Sequence, residues 1–115
     1  MEFEYENPKV EKHFEDFDLI RKKTDGVFTK LLKKRCDQLR AFVTFSDLLQ
    51  SRIGNPHSLK GSRKGLYAVN VDKNKRLIVQ PVSDDLSPES LKKCKKVVIK
   101  GVEDYHGSKV TSYIP

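Results

Sequence analysis

Residues 2–6, "EFEYE", alternate acid with aromatic, so Phe3 and Tyr5 share one side of an extended chain and three glutamates share the other. That predicts a short strand, and its charge suits a sheet edge. Asn7-Pro8 then reads as a helix start, Asn as cap and Pro in the first turn. Val10, Phe14, Phe17 and Ile20 follow at helical spacing, giving one apolar stripe that ends or bends at Thr24-Asp25-Gly26. A second helix starts near Val27, with Phe28, Leu31, Leu32, Leu39 and Phe42 inward and Lys30, Lys33 and Lys34 outward. Two amphipathic helices joined so briefly pack antiparallel.

The periodicity changes after Thr44. Ser46 to Leu49 fits one helical turn, and "GNPH" forces a loop. "GLYAVNVD" and "KRLIVQPV" are β-rich runs separated by turn residues, which predicts a hairpin. Pro81 implies that pairing of its second strand stops there or lies at an edge. "DDLSPESLKKC" reads as a loop with a helical turn after Ser87-Pro88, and "KKVVIKGVEDYH" as the last strand, ending at Tyr105-His106. Residues 107–115 form a C-terminal tail whose pattern assigns no element. The order is strand, helix, helix, then strands: one α+β domain over residues 1–115, with the helix pair on one face of an antiparallel sheet.

Composition narrows the class. A chain of 115 residues that is 37% hydrophobic and 34% charged suits one globular domain able to bury a core without disulfides or metal. The opening "MEFEYE" does not read as a signal peptide, and no apolar run approaches the ~18 residues of a membrane span. Two lone cysteines, Cys36 and Cys94, make neither a disulfide framework nor a zinc site, so the expectation is a cytoplasmic protein without cofactor or membrane contact. The net charge is +7, and it is segregated. Residues 1–18 carry seven acids against Lys9 and Lys12, whereas residues 52–76 carry seven basic residues against Asp72 alone. A cluster of one sign attracts polyanions, and nucleic acid is the commonest in a cytoplasm.

Three blocks, "HSLKGSRKGLYAVNV", "RLIV" and "VEDYH", together resemble the RelE/ParE superfamily of bacterial toxins, nearest its HigB-like, plasmid-maintenance killer branch. The resemblance spans residues 2–106 and implies a β-α-α-β-β-β fold. It implies an endoribonuclease that cuts mRNA in the ribosomal A site without a metal, held inactive by a cognate HigA-like helix-turn-helix antitoxin. Carried over position by position, it implicates His57, Lys60, Arg76, Tyr105 and His106. Val79 and Gln80, just after Arg-Leu-Ile, depart from many relatives, which have an aromatic or an acid there.

The residue types suit that reaction on their own terms. RNA cleavage by the neighbouring 2′-hydroxyl needs a base, cations for the crowded phosphate, and an acid for the leaving 5′-oxygen. Histidine titrates near neutrality, so His57 and His106 qualify for proton transfer. Arg76 offers a donor fork to phosphate and Lys60 a movable point charge. Tyr105 can stack on a base or donate its hydroxyl. Arg63, Lys64, Lys73 and Lys75 are read as RNA-steering, phosphate-binding charges.

Each residue also has a plainer reading. His57 fits a solvated turn, His13 a structural or exposed helix position, Tyr105 the core, and Arg76 a cross-strand partner for Glu103 or Asp104. Two other functions compete. A ParE-like gyrase inhibitor generally lacks the His-x-Leu-Lys and Tyr-His blocks together. A non-catalytic nucleic-acid-binding module calls for aromatics interleaved with the basic run, where only Tyr67 falls.

Overall fold

In the computed structural model the chain runs β1 (Glu2–Tyr5), α1 (Pro8–Glu15), α2 (Phe17–Lys23), α3 (Gly26–Ala41), α4 (Phe45–Ser51) and β2 (His57–Ser58). A 3-10 turn (Gly61–Arg63) leads to β3 (Tyr67–Asn70), β4 (Lys75–Pro81), α5 (Pro88–Leu91), β5 (Lys96–His106) and β6 (Lys109–Ile114). The structure describes residues 1–106 and 109–115, His106 by its backbone alone. Among the described residues no helix is long and apolar enough to cross a membrane.

The architecture is α+β, with one open six-stranded sheet ordered β1-β5-β4-β3-β2 and β6 also paired to β5. The pairings are antiparallel except that of β1, which joins β5 in parallel. Three details differ from the sequence reading. The stripe through residues 8–24 is two helices, because the Asp16 carboxylate caps Asp18 N at 3.1 Å and starts a new helix there. The turn at Ser46 is a seven-residue helix, set by a reciprocal capping box between Thr44 and Asp47. Most of the unassigned tail is β6, which makes β5 the penultimate strand.

Strand alternation and the helix stripes meet in one core. Val10, Phe14, Ile20, Phe28, Leu32 and Leu39 pack with Val69, Leu77, Val79, Val97 and Ile99 in one buried cluster. Each such large side chain contributes roughly 1.5–3 kcal/mol by leaving water. Cys36 and Cys94 are free thiols inside this layer, and burial pushes the Cys36 thiol up to about 12.

The long strand β5 carries two partners in succession on one edge. Residues 96–99 take β1 and residues 102–106 take β6. Gly101 stands at the junction with φ of +137°, where a Cβ would run into the carbonyl oxygen of Ile114. Only glycine fits that backbone and that approach together. β4 covers the other edge of β5, so β4 is a central strand and its ladder ends at Pro81.

Candidate active site

The site begins with the loop before β2. Gly54, at φ of +71°, brings the chain close enough to β3 for Asn70 N to donate to Gly54 O at 2.6 Å. A Cβ at that position would lie 2.5 Å from Val69 Cγ1. Arg35, from α3, holds the other side of the junction by donating from Nε to Asn70 O at 2.8 Å. This seating delivers His57 into β2, opposite Ala68. The His57 Nδ1 lies 3.0 Å from Asn55 O. A carbonyl only accepts, so Nδ1 carries the proton and in a neutral ring Nε2 is the acceptor.

Register then decides which residues share a face. One row runs His57, Ala68, Ile78, Gly101, and the next runs Asn70, Arg76, Glu103, Ser112. Directly opposed residues project to the same side of a sheet, and Tyr105, two residues beyond Glu103, projects with them. His57, Arg76, Glu103 and Tyr105 therefore occupy one face, the one opposite the helices.

Contacts within that face are specific. The Arg76 guanidinium lies over the Tyr105 ring, 4.2 Å from its centroid. The Arg76 Nε is buried without a hydrogen-bond partner among the described residues. Glu103, across the ladder from Arg76, gives one oxygen to Arg63 Nη2 at 2.5 Å and the other to the Tyr105 hydroxyl at 3.4 Å. That hydrogen bond to Glu103 is the main cause holding Arg63 above the ordinary arginine range. Tyr105 is thus engaged on one ring face and at its hydroxyl, and the Tyr105 backbone is tied to the β3–β4 turn by its N–H donating to Asn74 O at 2.8 Å.

The remaining sequence candidates scatter. Lys60 and Lys64 flank Arg63 on the 3-10 turn, both exposed. They border a cavity of about 380 Å³ at the β2 edge, walled by Leu59, Gly61, Gly65, Tyr67 and Leu86. Lys73 is exposed at the tip of the β3–β4 hairpin. Lys75 goes the other way. It pairs in register with Asp104, ion-pairs with Asp72 at 3.4 Å, and sits over Phe28 and Tyr113 on the helix side. The His106 side chain lies outside the described residues; its backbone pairs with Lys109 at the end of β5.

Two features escaped the sequence reading. Glu103 was read only as a possible partner for Arg76, and Arg63 as a steering charge, yet they hold each other across the face. The side taken by Lys75 was legible: Lys75, Leu77 and Val79 share a parity, and the two apolar members define the core side.

Comparison with known proteins adds little. No protein-family model and no curated protein matches the chain. Among solved structures it is similar to a YoeB/ParE toxin from Agrobacterium tumefaciens, at 12% sequence identity and a TM-score of 0.49, over 92% of this chain and 99% of that one. A likeness of that degree does not assign an activity.

Proposed function

We propose that this chain is the toxin of a type II toxin–antitoxin pair, a cytoplasmic endoribonuclease that cuts mRNA on the ribosome. The observation that carries the reading is the shared face. His57, Arg76 and Tyr105 come from three separate sequence blocks, and the strand register assigns them one face of the sheet, with Arg76 and Tyr105 in contact and His57 on the β2 edge. The same three blocks carry the resemblance to HigB-like toxins.

In the proposed reaction the His57 Nε2 takes the proton of a ribose 2′-hydroxyl. The 2′-oxygen attacks the adjacent phosphorus, the bond to the 5′-oxygen breaks, and an acid protonates that oxygen, a role given to His106 on the resemblance alone. The products are a 2′,3′-cyclic phosphate and a 5′-hydroxyl. Arg76, with Lys60, neutralises the charge that builds on the phosphate, a kind of contribution worth about 3–4 kcal/mol when preorganised. Proton-transfer groups contribute about 100- to 10,000-fold each. None of these steps calls on a metal or cofactor. A HigA-like antitoxin with an acidic segment would silence the basic face, since complementary charge speeds association and fixes register.

The test is expression of the chain alone and with its neighbouring gene, followed by cleavage of ribosome-bound mRNA in vitro with and without EDTA. Growth arrest, rescue by the neighbour, cyclic-phosphate ends and indifference to chelator are expected. Absence of both arrest and cleavage would end this reading. Cleavage lost in EDTA on ribosomes kept intact, and restored by a divalent ion, would replace its mechanism.

A further inference from the structure

We infer that Glu103 is a positioning residue, a clamp whose two carboxylate oxygens hold the loop after β2 and the end of β5 in one arrangement. The consequence for turnover rests on the ribonuclease reading above; the clamp itself is a claim about this chain's geometry. One oxygen takes Arg63 from the 3-10 turn, forty residues away in sequence, and the other takes the Tyr105 hydroxyl. Lys60 and Lys64 flank that turn, so holding Arg63 restrains the backbone from which both amines project. Arg76 lies against the ring of the same tyrosine. Glu103 is therefore the shared partner that joins loop cations to strand groups.

Magnitudes favour geometry over stability as its role. The Arg63 and Glu103 side chains are 33% and 24% exposed, and ion pairs near the surface are typically worth about 0–1 kcal/mol. A negative charge on a face meant for RNA also weakens attraction to phosphate. An acid that adds little stability and lowers affinity is useful there if it aligns the cations around it. The two effects separate experimentally, because removing the acid should improve binding and impair turnover.

The decisive variant is Glu103→Gln, compared with Arg63→Ala, Lys64→Ala and the exchange Arg63→Glu with Glu103→Arg. Three readouts are needed: hydrogen exchange at residues 61–66, affinity for a short single-stranded RNA, and single-turnover cleavage of ribosome-bound mRNA. Glu103→Gln should speed exchange in the loop, bind the RNA a few-fold more tightly, and cleave about tenfold or more slowly at saturation. Arg63→Ala should share the loosened loop and the slow cleavage. Lys64→Ala should leave loop exchange unchanged and weaken binding. The exchanged pair should recover loop protection and part of the rate, with exchange in β4 confirming that each variant is folded. Unchanged loop exchange in Glu103→Gln, or tighter binding with undiminished cleavage, overturns the clamp. If the wild-type chain cuts no mRNA, the ribonuclease reading fails, and loop exchange with RNA affinity still judges the clamp.

Discussion

Lys75 and Arg76 are adjacent on β4 and carry the same charge, and the sheet sends them to opposite sides. Lys75 enters the helix side, among Asp72, Phe28 and Tyr113, where its amine belongs to the packing. Arg76 enters the open side, against Tyr105, with its Nε unsatisfied among the described residues. The two faces treat a cation differently. The helix side neutralises it with an acid and covers it with rings, so its work is done within the fold. The open side lays it on a tyrosine ring, and the acid facing it, Glu103, is ion-paired to Arg63 instead, an arrangement that suits a polyanion from outside. A basic run in the sequence is therefore not a basic patch in space, because a period of two divides it.

The contrast can be broken most severely from the helix side. Leu77 is fully buried in the row that faces the helices, and Leu77→Ala should cost about 2–5 kcal/mol in denaturant unfolding. Activity per folded molecule should survive wherever the variant remains folded. Gly101→Ala strains the junction at which β1 gives way to β6, and about 1–3 kcal/mol is expected from the positive φ and the crowded Ile114 carbonyl. A thermal unfolding series reads both.

A subtler break uses pH. Burial would lower the Lys75 pKa, but Asp72, Tyr113 and Asp104 outweigh it and hold the amine above the ordinary lysine value. A raised folded pKa means that this stabilisation is whole below the unfolded value of ~10.4 and is lost as pH climbs through the folded one. Burial raises the Tyr113 hydroxyl too, so its unfolded form gives up the proton first and the slope has the same sign. Urea midpoints of wild type should fall between about pH 9.5 and 11, and Lys75→Met should flatten part of that fall. The smallest effects belong to the exposed cations. Lys64→Ala and Lys73→Ala should weaken RNA binding a few-fold at low salt, less as salt rises, with no change in stability.

Much of the fold was legible because local signals agreed. The Asn7-Pro8 start, the hairpin and the Ser87-Pro88 turn each carry a cap or turn residue beside a clear period. β6 was not legible, since "KVTSYI" buries only Ile114 fully and shows no clean alternation of polar and apolar positions. The break at Asp16 was hidden because the apolar stripe continues through it, while a single side-chain cap resets the backbone. At the site, the sequence supplied the residue types and left their grouping open. Grouping depends on register: His57 meets Ala68 and Arg76 meets Glu103 only after the β2–β3 and β4–β5 pairings are fixed. The Arg63–Glu103 contact spans forty residues, and no local pattern announces it.

The most direct test of the two-face account sets Arg76→Ala beside Lys75→Ala in single-turnover cleavage of ribosome-bound mRNA, with a melting curve for each. Arg76→Ala should cleave about 100- to 1,000-fold more slowly while melting close to wild type. Lys75→Ala should melt lower and cleave within a few-fold of wild type when folded. Equal losses of cleavage in the two variants, or a loss confined to Lys75→Ala, would contradict the assignment of the open face as the site of RNA chemistry.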